Sequence, residues 1–266
     1  MIVRIKLNHI LFFFIFLFFA CSFKKQFYYD NGEYIKFKDS LFATIELKND
    51  KGKLIAGIES KVKNPKATIL LLHGNEGNIS NWSYFALPFI NAGYHVILFD
   101  YQGYGKSTGK ANHKNVVSDT ELYLNYAFQN KGSEPLILWG FSIGGNLAVH
   151  IAQRNSEIID YLVLEGAATS HTDIATFSVP HIIKPATRIL VKSPYKSKNI
   201  ISELELPMLI IHSKEDEIAP YGMGKLLYQN SNGNATFWTI DGKHCHGILD
   251  YQNEYISKIN ELINQK

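Results

Sequence analysis

Six short runs of apolar residues, separated by segments long enough for helices, constrain this chain more than any other feature. Each run is apolar on both faces, whereas a strand with one face in water would alternate polar and apolar residues. The runs lie at residues 67–72, 95–99, 136–139, 161–164, 207–211 and 236–240. Two more apolar runs flank the turn sequence Asn-Asp-Lys-Gly at 49–52 and predict an antiparallel hairpin. The sequence therefore predicts an α/β fold whose sheet is mostly parallel, with an antiparallel N-terminal hairpin and helices on both faces.

The interval from residue 168 to residue 206 breaks this alternation of strands and helices. It is too long for a simple connection, and it contains Pro180, Pro185 and Pro194. A long connection within a compact domain usually has a function of its own, such as covering a site. We therefore expect one domain over residues 34–266, in which residues 168–206 form a lid.

The N-terminus has the pattern of an export signal. Arg4 and Lys6 precede an apolar run at residues 10–20, which is short for a bilayer-spanning helix of ~20 residues. The junction between Ala20 and Cys21 resembles a bacterial lipobox, in which the cysteine is lipidated and becomes the new N-terminus. This pattern predicts a signal peptide at 1–20, a lipidated Cys21 with a tether at 21–33, and a lipid-anchored protein of the bacterial cell envelope, in the outer membrane of a Gram-negative cell. The alternative is an uncleaved N-terminal anchor.

Charge and cysteine content exclude several other classes of protein. The chain has 27 basic and 24 acidic residues, and two of the basic ones lie in the predicted signal peptide. Such a near-neutral balance argues against nucleic acid as a partner. Apart from Cys21 the chain has one cysteine, Cys245, so an internal disulfide is not expected. No group of cysteines and histidines has zinc spacing, and we expect neither a metal nor a cofactor.

The sequence Gly-Phe-Ser-Ile-Gly-Gly at 140–145 follows the third of the six runs and precedes a helical run at 146–154. Gly-x-Ser-x-Gly alone recurs by chance, but a strand, this turn and a helix in succession are typical of a turn that presents a nucleophile. The glycines matter because a Cβ beside the serine would clash with the neighbouring strand or helix. The pattern predicts that Ser142 is the nucleophile.

A serine that attacks an acyl group creates a negatively charged oxygen, which hydrogen-bond donors must stabilise. The amide of Ile143 lies at the N-terminus of the predicted helix and is one candidate donor. The second donor is expected in the loop after strand 67–72, which reads His-Gly-Asn-Glu-Gly-Asn. The amide of Asn75 is our candidate.

The serine also needs a histidine base and an acid, expected in loops after later strands with the acid first. Strand 207–211 leads to Glu215, Asp216 and Glu217, and strand 236–240 leads to two histidines, at 244 and 246. Both loops lie at the carboxyl edge of the predicted sheet, where Ser142 also emerges. The residues alone leave more than one candidate for each role.

Several other polar side chains near these motifs have no role that their spacing fixes. Tyr101 and Tyr104, in a Gly-rich loop, either line the site or support the structure. Four histidines without a partner at motif spacing are expected on the surface or in the core, namely His113, His150, His171 and His181.

Together, these motifs resemble those of hydrolases of the Bem46 and ABHD13 type, within the α/β-hydrolase superfamily. The likeness covers about residues 66–250, and its matching elements lie at 73–78, 100–109, 140–145 and 164–167. The histidine loop of that family resembles Asp-Gly-Thr-His-Asn-Asp, which lies without a gap over residues 241–246. The resemblance implies the α/β-hydrolase fold, with His244 as the base and Asp216 as the acid that orients it.

Ser142, Asp216 and His244 would form a triad that cleaves an ester or related acyl bond through an acyl-enzyme intermediate. The expected substrate is a small-molecule or lipid-like acyl compound. Two other interpretations remain: a serine peptidase or amidase, and a protein that keeps the fold and binds without catalysis. A haloalkane-type mechanism is excluded because it needs aspartate in place of Ser142.

If Cys21 carries lipid, growth with a fatty-acid analogue should label the protein. Replacement of the acceptor thiol in Cys21→Ala should abolish the label and either release the protein or leave the precursor. Membrane retention without any incorporated lipid would instead identify an uncleaved anchor.

Overall fold

The computed structural model of the chain describes residues 27–30, 32–34 and 40–265. The predicted signal peptide, Cys21 and most of the tether lie outside the described residues. The strands are β1 (Phe42–Lys48), β2 (Leu54–Ser60), β3 (Thr68–Leu72), β4 (His95–Phe99), β5 (Leu136–Phe141), β6 (Tyr161–Glu165), β7 (Met208–Ser213) and β8 (Ala235–Ile240). The helices are α1 (Ile79–Asn91), α2 (His113–Asn130), α3 (Ile143–Arg154), α4 (His171–Phe177), α5 (Lys184–Leu190), α6 (Ser197–Ile200), α7 (Tyr221–Gln229), α8 (Gly247–Asp250) and α9 (Gln252–Ile263), with 3-10 turns at His181–Ile183 and Ile201–Glu203.

All eight strands belong to one sheet in the order β1-β2-β4-β3-β5-β6-β7-β8. The pairs β1–β2 and β2–β4 are antiparallel, and the other neighbours are parallel. This arrangement confirms the predicted fold class, and the parallel strands begin and end within two residues of the predicted bounds. β3 and β5, next to each other in the centre, are buried along their whole length. Their continuous apolar sequence is therefore explained by helices that cover both faces.

Alternate side chains of β5 enter two separate hydrophobic cores. Leu136 and Leu138 belong to one core, whereas Ile137, Trp139 and Phe141 belong to the other. The strand is thus fixed from both faces, which holds its carboxyl end, and the residue that follows it, in one position.

The segment 27–30, part of the predicted polar tether, packs against the domain. The Tyr28 side chain is buried, and its hydroxyl lies 2.9 Å from Nδ1 of His113. A carboxylate oxygen of Asp30 accepts a hydrogen bond of 2.7 Å from the amide of Gly105. In addition, the amide of Tyr29 donates to the carbonyl of Asn75 at 3.3 Å. The N-terminal segment therefore supports the loop after β3.

The region between β6 and β7, predicted as a lid, contains α4, α5, α6 and both 3-10 turns. α4 contacts α5, and α6 contacts α3, so this lid segment (residues 168–206) is tied to the helix after β5. Over the described ranges, the helices are all too short or too polar to cross a bilayer.

We expect Gly144→Ala to destabilise the protein. A Cβ at Gly144 would lie 2.6 Å from the carbonyl oxygen of His73 and closer still to that of Leu72, so α3 would have to move away from β3. Overpacking of this kind costs about 1–3 kcal/mol, which should lower the melting temperature by several degrees. Gly222→Ala is the matched control, because Gly222 is an exposed residue of α7 with no atom near its Cβ position. That change should stabilise the helix by about 0.5–1 kcal/mol, and a loss of stability equal to that of Gly144→Ala would contradict the packing argument.

Candidate active site

Ser142 lies on a sharp turn between β5 and α3, as the sequence predicts. Its φ of 54° and ψ of −117° are strained for a residue with a Cβ. The amide of Ser142 donates to the carbonyl of Glu165 on the neighbouring strand at 2.9 Å. On the other side of the turn, a Cβ at Gly145 would lie 2.7 Å from Cβ of Ala167. The glycines therefore let α3 approach the sheet closely enough to keep the strained turn in place.

Asp216 and His244, which are 28 positions apart in the chain, are in direct contact. Nδ1 of His244 lies 2.6 Å from Oδ2 of Asp216. The Asp216 carboxylate is fully buried, and its Oδ1 accepts the amides of Ile218 at 2.9 Å and Ala219 at 2.7 Å. Because both oxygens are engaged, the carboxylate has one fixed orientation, and the Nδ1–H of His244 donates to it. The other ring nitrogen, Nε2, is then an acceptor for a proton.

A second histidine lies near the same carboxylate. Nε2 of His212 is 2.7 Å from the carbonyl oxygen of Ala219 and 3.4 Å from Oδ2 of Asp216. Burial lowers the pKa of His212 despite the nearby carboxylate, so the ring is neutral. The Nε2–H of His212 therefore donates to the carbonyl oxygen of Ala219, which is the closer of the two acceptors. This hydrogen bond helps to hold the loop around Asp216.

The other candidate acids, Glu215 and Glu217, and the other candidate histidine, His246, do not take part in this contact. Glu215 is exposed and accepts the amide of Gly242 at 3.0 Å, and Glu217 is exposed. His246 begins α8, where its carbonyl accepts amides of that helix, and its side chain is part of the wall of a cavity. Of these candidates, the structure brings only Asp216 and His244 into contact.

Cys245 packs beside the histidine as a buried thiol. Its Sγ lies 3.4 Å from Nε2 of His244 and 3.5 Å from the carbonyl oxygen of Glu165. Burial raises the pKa of the Cys245 thiol well above its usual value, with the carboxylates of Glu165 and Asp216 adding to the shift. A protonated thiol is a poor nucleophile, so Cys245 fits a packing role.

The loop after β3 passes beside Ser142 and is held by two tyrosines. A Cβ at Gly74 would lie 3.7 Å from Cβ of Ser142. The carbonyl of Asn75 accepts a hydrogen bond of 2.9 Å from the hydroxyl of Tyr104, and the carbonyl of His73 accepts one of 3.1 Å from Tyr101. Both tyrosines are buried and support the loop. Of the two roles that the sequence leaves open, Tyr101 and Tyr104 therefore have the structural one.

His73 is a structural histidine at the start of this loop. Its Nδ1 lies 2.7 Å from the carbonyl oxygen of Gly74, and its ring packs 4.2 Å from that of Tyr101, measured between centroids. Burial lowers the pKa of His73 to about 4. A neutral ring locked in this way orients the loop without taking part in proton transfer at neutral pH.

Two cavities meet at Ser142. One has a volume of about 240 Å³ and lies between Ser142 and the lid segment, with His171 and Ile174 of α4 in its wall. The other, of about 330 Å³, lies between Ser142 and α1 and has His244 in its wall. Asn75, Glu76, Ser142 and Ile218 line both cavities. The serine is therefore at the junction of a cleft with two arms.

The walls of these cavities contain residues that sequence patterns did not identify. Phe27 lines the 240 Å³ cavity although it lies in the segment expected to be a tether, and His171 lines it although it was expected on the surface or in the core. No periodicity or motif marks either residue, because both reach the site through contacts between distant segments. His171 could have been suspected only from its place at the start of the lid region.

Glu165 connects the serine turn with the histidine loop, and no sequence motif gave it a role. Its carbonyl accepts the amide of Ser142, while its side chain accepts the amide of Gly247 at 2.7 Å and the hydroxyl of Tyr255 at 2.6 Å. Burial raises the pKa of Glu165 to about 7, although these two hydrogen bonds and His244 act in the opposite direction. Glu165 therefore positions both halves of the site at once.

The described part of the chain contains no cluster of three or more histidine, cysteine and acidic side chains suited to a metal.

The sheet topology, the strained serine turn after its central strand and the Asp–His pair after its last strands define a protein of the α/β-hydrolase superfamily. The family model Hydrolase_4, described as serine aminopeptidase, S33, matches residues 63–202. The chain belongs to this hydrolase family.

Curated relatives agree with this assignment. The chain is 30% identical to the uncharacterized protein YfhR of Escherichia coli K12 over 213 residues, which cover 76% of this chain and 72% of the relative. It is 28% identical to the lysophosphatidylserine lipase ABHD12 of Macaca fascicularis over 232 residues, 81% of this chain. The match covers 58% of that lipase, so the chain spans less than two thirds of its length.

Solved structures share the fold at lower identity. The esterase Pf2001 of Pyrococcus furiosus superposes with a TM-score of 0.72 at 18% identity, over 90% of this chain and 98% of the esterase. Est1E of Butyrivibrio proteoclasticus, solved with ferulic acid bound, gives 0.70 at 18% identity over 83% and 100%.

We expect the free energy of unfolding of the Glu165→Gln variant to increase, relative to that of the wild type, as the pH rises. The native carboxyl has a raised pKa of about 7, so between its ordinary pKa near 4.5 and that value the native state binds more protons than the unfolded state. Wild-type stability therefore falls as the pH rises through this window, by up to about 3 kcal/mol, and glutamine removes this pH-dependent loss. Its carbonyl oxygen can still accept the amide of Gly247, while its NH2 group would have to donate to the hydroxyl of Tyr255. Urea unfolding of both proteins at pH 5 and pH 8 measures the effect.

Glu217→Gln is the control for this experiment, because it removes the same charge from an exposed position. Its stability difference from wild type should not follow the same trend with pH. A pH-independent difference for Glu165→Gln would show that the carboxyl is already ionised across this range.

Proposed function

We propose that the chain is a serine hydrolase that cleaves an ester or related acyl bond, with Ser142 as nucleophile, His244 as base and Asp216 as the acid that orients the base. The observation that carries this proposal is the 2.6 Å contact between Nδ1 of His244 and Oδ2 of Asp216, in a site where His244 and Ser142 line the same cavity. The buried carboxylate favours the tautomer in which Nε2 of His244 carries no proton and can accept the one from Ser142.

In the proposed reaction, Oγ of Ser142 attacks the acyl carbon while its proton moves to Nε2 of His244. The resulting tetrahedral intermediate collapses when His244 returns that proton to the leaving-group oxygen, which breaks the ester bond and leaves the acyl group on Ser142. Water then attacks the acyl-enzyme, His244 takes one of its protons, and the carboxylic acid departs as that proton returns to Ser142.

The amides of Ile143 and Asn75 are the proposed donors to the negatively charged oxygen. Ile143 is the first residue of α3, where amides lack partners within the helix. Asn75 is held by hydrogen bonds that its own carbonyl accepts from Tyr104 and Tyr29, and Gly74 keeps the loop close to Ser142. A donor held in advance stabilises the charge without having to reorganise during the reaction.

The two arms of the cleft fit the two parts of an ester. His244 has to protonate the leaving group, so the arm of about 330 Å³ that contains His244 would receive the alcohol. The arm of about 240 Å³ under α4, whose wall includes Phe27, Ile143 and Ile174, would receive the acyl chain. A mostly apolar wall of this volume suits a short acyl group or the first carbons of a longer one.

An ester is favoured over a peptide with a free N-terminus by the charge of the lid segment. The family description names a serine aminopeptidase, and such an enzyme must bind a protonated amine. In the lid segment, Asp173 pairs with Lys198, and Glu203 and Glu205 line neither arm of the cleft. Among the described residues, Glu76 is the one acidic residue in the walls of the two arms, so the cleft has no acidic cluster for an amine. Acyl-ester cleavage is also supported by the names of similar proteins, which include a lysophosphatidylserine lipase and esterases. Amide cleavage is the second candidate function, and binding without catalysis is the third.

The closer likeness to the Bem46 and ABHD13 type and the lipid anchor at Cys21 are also proposals. Both rest on the sequence patterns given above, and the anchor lies outside the described residues. A lipid-anchored hydrolase of the cell envelope would meet acyl compounds at the membrane surface.

Ser142→Ala should abolish turnover of an activated ester and covalent labelling by a fluorophosphonate probe. Loss of the nucleophile is expected to lower kcat by a factor of about 10⁴ or more, with little change in melting temperature, since a single hydroxyl is removed. Ser178→Ala is the matched control, because Ser178 lines the 240 Å³ cavity but lies at the end of α4. Labelling that persists in Ser142→Ala would show that another residue is the nucleophile and would overturn the proposal, whereas no labelling of the wild type would favour a protein that binds without catalysis.

His244→Ala and His246→Ala form a second matched pair, taken from one loop. Removing the base should lower kcat by a factor of about 10⁴ or more, whereas His246→Ala removes a cavity-wall residue and should stay within about tenfold of wild type, ~1.4 kcal/mol of barrier. The two values are measured on the same p-nitrophenyl ester. If the His246 variant collapses and the His244 variant does not, the assignment of the base is wrong.

A further inference from the structure

The outer side of the lid segment exposes a stripe of apolar side chains. Ile182 is 89% exposed and Ile189 is 75% exposed, more than any other large apolar residue in the described part of the chain. They are seven positions apart across the 3-10 turn and α5, which places them on one side of a helical run, and exposed Pro185 lies between them. Thr187, on the other side of the run, is buried. We call Ile182, Pro185 and Ile189 the lid stripe.

A basic cavity lies in the same lid segment. It has a volume of about 390 Å³, and its wall includes Arg188, Lys192, Lys196 and Lys198. Nζ of Lys198 is 2.8 Å from a carboxylate oxygen of Asp173, whereas the other three cations form no ion pair with any described residue. Hydroxyl groups of threonine and serine also line the cavity. Unpaired cations and hydroxyl donors around one space suit a phosphate or another anionic group.

The charge of the surrounding sequence extends this basic character. From residue 174 to residue 202 the chain has five lysines and arginines and no aspartate or glutamate. Arg188 lies one residue from Ile189, so the cations flank the apolar stripe directly. A helical surface with exposed apolar residues beside basic ones is typical of segments that lie in the interface of an anionic membrane.

We propose that the lid segment docks on an anionic lipid surface, with the basic cavity around the phosphate of one lipid head group and the lid stripe among the adjacent acyl chains. A purely zwitterionic surface would leave the net positive charge of the cavity uncompensated. A soluble anion would leave Ile182 and Ile189 in water. Only a surface that is both negatively charged and apolar beneath its head groups satisfies both features. This docking site does not depend on which residue is the nucleophile.

The position of the site relates the membrane to the catalytic cleft. On α4, Ile174 and Ala175 line the 240 Å³ cavity beside Ser142, whereas Thr172 and Asp173 line the basic cavity. One short helix therefore separates the proposed acyl arm from the docking site. Phe27 also lines the acyl arm and is six residues from Cys21, a distance of at most ~21 Å along an extended chain. A lipid at Cys21, itself a proposal, would hold the same end of the molecule at the membrane.

Quenching of tryptophan fluorescence by brominated lipids tests this docking in the full-length protein. Ile182→Trp places the reporter in the lid stripe, and wild type supplies the background from Trp82, Trp139 and Trp238. The vesicles contain brominated phosphatidylcholine with or without phosphatidylglycerol. We expect additional quenching with phosphatidylglycerol, and about fivefold weaker partitioning for each basic residue removed in Arg188→Gln/Lys192→Gln. Phe128→Trp, an exposed position on α2, is the control and should show no additional quenching.

The outcomes of this experiment are distinct. Arg188 and Lys192 lie outside the proposed catalytic site, so turnover of a soluble ester should be unchanged in the double variant, which shows that it is folded. A shared membrane anchor would affect all variants alike and leave the difference between Ile182→Trp and Phe128→Trp intact. Equal quenching in both kinds of vesicle, or none in either, would overturn the proposal. If inorganic phosphate alone raises the melting temperature and the double variant abolishes this while vesicles give no quenching, a soluble anion occupies the cavity and the lipid proposal is wrong.

Discussion

The site depends on the close approach of α3 to the central strands. Ser142 has a backbone conformation that residues with a Cβ avoid, and such a conformation persists only where the surrounding structure holds it. Gly144 lies against the carbonyls at the end of β3, and Gly145 lies against Ala167 after β6. Together with the hydrogen bond from Ser142 to the Glu165 carbonyl, these contacts leave the turn no room to relax. The position of the serine at the junction of the two cavities is therefore a consequence of packing around it.

Asp216 and His244 are likewise held by fixed hydrogen-bond partners. Two amides and one imidazole N–H occupy the acceptor positions of Asp216, so its carboxylate cannot rotate. Glu165, with a raised pKa, holds the loop beyond His244 through the amide of Gly247 while its own backbone holds the serine turn. A shift of either loop would thus be transmitted to the other through one buried side chain. The geometry of the pair is set by these hydrogen bonds at the carboxyl end of the sheet.

The lid segment contributes to two surfaces at once, because α4 has a cavity on each side. The inner side of the lid segment lines the cavity that contains Ser142, and its outer side contains the basic cavity and the lid stripe. A hydrolase whose lid docks on lipid would open its cleft close to the source of an acyl substrate. In that arrangement the identity of the substrate depends on the membrane as well as on the size of the cleft.

The sequence by itself determined the fold class and the sharp turn at Ser142. Runs apolar on both faces, separated by helix-length segments, are typical of a parallel sheet covered by helices. Glycines around Ser142, between such a run and a helical run, are typical of a tight strand–turn–helix, so local pattern was sufficient for both. The choice among three acids and two histidines needed the resemblance to a family, because single residues in neighbouring loop positions have no periodicity. The structure brings Asp216 and His244 into contact, as the resemblance implies. The tertiary structure alone decided that Tyr101 and Tyr104 support the loop after β3 and that Phe27, Glu165 and His171 belong to the site. These residues are brought together by contacts between segments far apart in the chain, and such contacts leave no mark on the sequence around them.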